Sequence, residues 1–113
     1  MTRSDQQRLA DILDASEQVA ELVKIEKGSW DADRPRQLAV ERLLEIIGES
    51  ARSMTDAGRS AIPDVPWSDL IGLRTVLAHH YHRVDPDQVW TIATVNLPDV
   101  VAHLRPPAAG APG

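Results

Sequence analysis

The residues best suited to chemistry lie in one stretch, RTVLAHHYHR, from Arg74 to Arg83. It holds His79, His80 and His82, three of the four histidines, with an arginine at each end, Tyr81 inside and no carboxylate. Three kinds of site can be built from such a set. A zinc centre needs three or four converging ligands. Here only His79 and His82, at i and i+3, share a helix face, and the nearest carboxylate in sequence is Asp85, so the spacing argues against metal. The second kind is a plain helix end, where cationic histidines meet the negative end of the dipole and a tyrosine sits at the core edge with its hydroxyl in water. The third is cleavage of RNA without metal. A histidine near its free pKa suits removal of the 2′-hydroxyl proton. A permanently charged arginine suits a phosphate that gains charge in the transition state. On an ideal helix Arg74 and His79 point about 140° apart, whereas Arg74 and Tyr81 lie within about 20°. Arg74 and His79 therefore converge only if the helix unwinds near His79 or if two chains pair.

The elements that must position this stretch read as helices. Leu9, Ile12, Leu13, Val19, Ala20, Leu22 and Val23 recur at helical spacing and predict a helix from about Asp5 to Glu26, ended by the turn signal KGSWDADRP. A second helix is predicted from about Pro35 to Ala57, with Leu38, Leu43, Leu44, Ile47, Ala51 and Met54 as its apolar stripe. Gly48 falls in the middle of that helix, where glycine costs stability, and this points to close approach of another backbone. GRSAIPDVP, from Gly58 to Pro66, reads as a loop, and WSDLIGLRTVLAHH follows with Trp67, Leu70, Ile71, Val76 and Leu77 for the core. VDPDQVW is a helix start, with Asp85 as N-cap, Pro86 at the first position and Gln88 as partner in a capping box. That last helix runs towards Leu104 and is kinked or interrupted at Pro98.

No period-2 strand, phosphate-binding glycine loop or repeat is present. The expected architecture is all-α: an antiparallel bundle of four to five helices over residues 1–105, then a flexible tail over 106–113, RPPAAGAPG having no packed role. With so few helices, apolar surface is left for a second copy to cover. The 113 residues are 42% hydrophobic and 26% charged, which fits one folded domain. The absence of cysteine excludes disulfides and thiolate metal sites. No apolar run reaches membrane length, and MTRSDQQRLADILD lacks the apolar centre of a signal peptide, so a cytoplasmic location is expected. A net charge of −5 argues against a protein that coats nucleic acid through a broad basic face. The charge is uneven, however. Residues 1–57 carry 12 of the 17 carboxylates, while residues 70–84 carry none, leaving room for a local anion site.

RTVLAHHY fits Arg-x4-His-x-Tyr and resembles the motif of HepT-like toxins in the HEPN superfamily. The flanks agree in order: ERLLEIIGESAR before it, PWSDLIGLR leading in, VDPDQVW after it and NLPDVVAHL in the last helix. The likeness extends from about Thr2 to Leu104. It implies a homodimeric helical bundle whose two motifs meet in a cleft. The implied activity is that of a metal-independent endoribonuclease, the toxin of a type VII-like toxin–antitoxin system encoded beside an MntA-type nucleotidyltransferase antitoxin. By position, Arg74 would bind the scissile phosphate and His79 would be the general acid and base. Tyr81 would receive AMP from ATP used by the antitoxin, with no cofactor of the chain's own. An anionic nucleotide there would fill the cleft and repel RNA.

Glu49, with Gly48 beside it, matches the family's "GE" segment and is a supporting residue that the resemblance suggests; Thr75 and His80 are candidate supporting residues at positions that depart from the family pattern. Many relatives have Asn or Asp where this chain has Thr75, and often glycine in place of His80. The acidic net charge and Thr75 also fit an alternative, a non-catalytic HEPN subunit that recruits substrate for, or partners, a nucleotidyltransferase. A purely structural helical bundle is a third reading.

Overall fold

The computed structural model describes residues 1–78 and 84–104, and the regular structure among them is entirely helical, with no strand. Helix α1 (Arg3–Leu22) begins at Thr2, whose hydroxyl accepts from the Asp5 N–H at 2.9 Å while the Asp5 carboxylate accepts from the Thr2 N–H. This is a capping box with aspartate at its third position. A short helix, α2 (Lys27–Asp31), leads to α3 (Arg34–Ser53), which Asp33 caps through the Arg36 N–H with Pro35 in the first turn. Arg36 also donates to the Leu22 carbonyl, so α3 starts where α1 ends. At the far end Thr55 donates to Asp5, so α3 finishes where α1 starts, and the two helices are antiparallel.

After α3 the chain makes another short helix, α4 (Asp56–Ser60), and then α5 (Trp67–Ala78). Gly58 lies inside α4, so the expected loop begins only after Ser60. Arg59 joins the elements by donating to the Ala51 and Met54 carbonyls at 2.9 and 2.6 Å, which satisfies orphan acceptors at the end of α3. Helix α6 (Pro86–Thr91) is capped by Asp85 as expected, but its carboxylate accepts from the Asp87 N–H rather than pairing with Gln88. A π-helical turn (Ile92–Asn96) then leads into α7 (Leu97–Leu104). The interruption expected at Pro98 falls just before it. Proline cannot donate to the carbonyl four residues back and its ring clashes there, and the wider turn closes instead through the Leu97 N–H to the Ile92 carbonyl.

Four principal helical units therefore build the bundle: α1, α3, α5 and the α6–α7 unit. On α3 the fully buried positions are Val40, Leu44, Ile47 and Ala51, at helical spacing, and they face Ile12 and Val19 of α1 and Leu70, Leu73 and Leu77 of α5. Leu38, expected in that stripe, is half exposed, because it lies about 200° around the helix from Val40. Ala20 of α1 is likewise exposed. The main departure from expectation is Trp30. It stands in the segment read as a turn, yet it is 0% exposed. Its indole N–H donates to the Pro86 carbonyl, and its ring packs on Trp90 with centroids 5.3 Å apart. No helix of the described residues is long and apolar enough to cross a membrane.

Candidate ribonuclease site

Helix α5 presents Leu70, Leu73 and Leu77 inward, at i, i+3 and i+7, and turns Arg74 and Thr75 out to solvent. Arg74 is thus an exposed cation at the edge of the leucine stripe that anchors its helix. The anchor is close. A Cβ built on Gly48 of α3 would lie 3.1 Å from the Leu70 carbonyl oxygen, 3.3 Å from the Arg74 nitrogen and 3.5 Å from Arg74 Cβ. The close backbone approach expected at Gly48 is therefore present, and the backbone it meets is the turn that carries Arg74. Glu49, the next residue of α3, is exposed.

Arg8, Arg34, Arg36, Arg42 and Arg59 pair with carboxylates, whereas among the described residues the exposed Arg3 and Arg52 do not. Among the described residues no carboxylate, Glu49 included, lies within ion-pairing distance of Arg74. An exposed guanidinium in that position can bind a phosphate by paired hydrogen bonds without first giving up an internal partner. His79, His80, Tyr81 and His82 lie outside the described residues. Among the described residues no group of three or more histidine or carboxylate side chains is placed to hold a metal.

The chain re-enters the described structure at Val84, which is buried, and at the cap of α6. Two contacts fix this point. Trp30 binds the Pro86 carbonyl at 3.1 Å, and Lys27 bridges Asp31 and Asp87 at 2.6 and 2.7 Å. Hydrogen bonds to Asp31 and then Asp87 raise the Lys27 ammonium above its ordinary pKa. Neither anchor was evident in sequence. The one available signal was a tryptophan inside a turn-rich segment, since a large ring seldom stays in water.

A groove of about 480 Å³ opens between α5 and the α6–α7 unit, floored by Leu70, Leu73, Leu97 and Val100. Its lining carries three carboxylates, Asp64, Asp69 and Asp99, against one histidine, His103, so the balance is the wrong sign for a phosphate chain. The chemistry points to the Arg74 side of α5 instead.

Residues 12–106 match the family model described as Ribonuclease HepT-like. The chain belongs to this family. A protein of Methanocaldococcus jannaschii named as a putative RNase is 36% identical over 98 residues, covering 86% of this chain and 90% of its own. The probable ribonuclease HepT of Thermococcus cleftensis is 32% identical over 101 residues, covering 88% and 92%. A further Methanocaldococcus jannaschii protein named as a putative RNase is 31% identical over 93 residues, covering 81% and 77%. No solved structure gives a significant match. The HepT-like match includes Gly48, Glu49 and the whole stretch from Arg74 to Tyr81.

Proposed function

We propose that this chain is the toxin of a type VII-like toxin–antitoxin pair, a metal-independent endoribonuclease acting in the cytoplasm as a homodimer. The observation that carries the reading is the family match across residues 12–106, which spans every proposed site residue. The exposed Arg74, with no described carboxylate against it, is in keeping with it.

In this reading His79 takes the proton from a ribose 2′-hydroxyl, and the 2′-oxygen attacks the adjacent phosphorus. The bond to the 5′-oxygen breaks, that oxygen receives a proton from the protonated imidazole, and a 2′,3′-cyclic phosphate is left. Arg74 holds the non-bridging oxygens as they gain charge. Thr75, His80 and Glu49 support the site, and the second copy completes the cleft. Neither metal nor cofactor takes part. Control comes from a nucleotidyltransferase of the MntA type. The Tyr81 phenol oxygen attacks the α-phosphorus of ATP, pyrophosphate leaves, and the tyrosyl-AMP places an anion where RNA would bind.

The test is cleavage of a mixed RNA pool in EDTA by protein expressed without its nucleotidyltransferase. Arg74→Ala is expected to lower kcat about 10²–10³-fold and His79→Ala about 10²–10⁴-fold. Intact mass with and without the partner and ATP reads Tyr81, and Tyr81→Phe should abolish the gain of one AMP. RNA left whole by the unmodified dimer, with no toxicity in cells, would instead favour the non-catalytic partner subunit.

A further inference from the structure

We infer that Gly48 is a positioning residue for Arg74: its missing side chain sets the distance from α3 to the turn of α5 that carries the phosphate-binding cation. The inference rests on the proposed role of Arg74. Glycine in a helix interior is unfavourable, so its presence there needs a reason. Gly58 is also crowded, but against the Asp5 side chain and not against backbone; the other two described glycines supply the contrast. Gly28 and Gly72 have open space where a Cβ would go, and Gly72 lies on α5 itself, two residues from Arg74. At Gly48 the added carbon would press on the Leu70 carbonyl at 3.1 Å and the Arg74 nitrogen at 3.3 Å. In an α-helix these two atoms are acceptor and donor of one i to i−4 hydrogen bond.

Backbone cannot swing aside as a flexible side chain can. Relief would come from moving this turn of α5 outward by a few tenths of an ångström. The third contact, Arg74 Cβ at 3.5 Å, is the root of the arginine stem, so the shift passes directly to the guanidinium. Leu70, Leu73 and Leu77, all within about 100° of Arg74 around α5, are held in the core, which limits the helix's freedom to roll and cancel the displacement. Gly48 is buried and has no side chain to offer substrate, so its effect runs through Arg74.

A double-mutant cycle tests this by RNA cleavage kinetics on the full-length dimer. Misplacement of about 1 Å costs about 10²-fold, so a few tenths should lower kcat/KM about three- to tenfold in Gly48→Ala. Gly72→Ala should leave it unchanged. The deciding arm is Gly48→Ala combined with Arg74→Ala, which should match Arg74→Ala alone, because a displaced arginine no longer matters once it is gone. A loss in Gly48→Ala that persists in full on the Arg74→Ala background overturns the inference, as does wild-type kinetics for Gly48→Ala. Failure of the underlying reading looks different: Arg74→Ala would cleave as fast as wild type, or wild type would not cleave at all. Should Gly48→Ala prove too unstable to assay, the cycle is repeated on the Gly72→Ala background, where the better helix former restores stability away from the contact.

Discussion

Replacing Trp30 with phenylalanine isolates what one connector residue does for the bundle. The ring is fully buried, its N–H donates to the Pro86 carbonyl at 3.1 Å, and it packs at 47° against Trp90. Phenylalanine keeps an aromatic partner for Trp90 but removes the donor and roughly 40 Å² of buried apolar surface. At about 25 cal/mol per Å² the lost surface is worth about 1 kcal/mol. The lost indole hydrogen bond costs about 1 kcal/mol more. A total of about 2 kcal/mol on a chain of 113 residues lowers Tm by roughly 8 °C, since each residue contributes about 2.1 cal/mol/K to the unfolding entropy. Thermal unfolding followed by far-UV circular dichroism reads this directly. Trp67→Phe is the internal control. That indole also donates to a carbonyl, Ile62 at 3.0 Å, but it is only half-buried. It should cost about 1 kcal/mol or less. Should Trp30→Phe fall within about 0.5 kcal/mol of wild type, or Trp67→Phe cost as much as Trp30→Phe, the anchoring role drawn here is wrong.

Two further predictions concern the other end of α1. Hydrogen bonds from the Thr55 hydroxyl and N–H hold the Asp5 carboxyl well below the usual carboxylate range; burial opposes them, and Thr2 adds a smaller lowering. Its contribution to stability is therefore present above the unfolded pKa, near 3.9, and drains away as pH falls below that value; urea midpoints of Asp5→Asn and wild type should differ most near neutral pH and converge in acid. Gly58→Ala should destabilise by about 1–3 kcal/mol in urea melts at neutral pH, because its new carbon would sit 2.5 Å from Asp5 Oδ2 and 2.6 Å from Asp5 Cγ; Gly28→Ala, with open space around it, should not.

What the sequence makes legible here is what depends on near neighbours. The stripe of Leu44, Ile47 and Ala51, the Asp85–Pro86 helix start and the break before Pro98 all follow from residues within a turn or two. Asp5 and Trp30 do not, because their partners lie far along the chain. Asp5 is buried only because Thr55, 50 residues away, donates to it twice. Trp30 is buried only because Pro86, 56 residues away, accepts from it. A polar residue in the first turn and a tryptophan among turn formers read as surface until those partners are placed. Gly48 is intermediate: its cost in a helix announces a contact without saying with what. For the site itself, residue types and spacing allowed three chemistries, and the choice among them came from the resemblance. His79 and Tyr81 lie outside the described residues, so only Arg74, Thr75 and Glu49 have been placed.

On the proposed function, an acidic chain cuts RNA, a conflict that the distribution of charge resolves. Charges further apart than about 8 Å are largely screened at physiological ionic strength, so a phosphate beside Arg74 responds to its immediate surroundings rather than to the net −5. In sequence Arg74 stands in a stretch without carboxylates, residues 70–84, and no described carboxylate, Glu49 included, forms an ion pair with it. The acidic groove rim of Asp64, Asp69 and Asp99 lies along the α6–α7 side of α5. Repulsion there makes that groove a poor competitor for RNA and favours the face of α5 that carries Arg74. Such an arrangement gives up the affinity that a broad basic face supplies through counterion release. It places correspondingly more weight on where Arg74 sits, and that position is the one held by the bare backbone of Gly48.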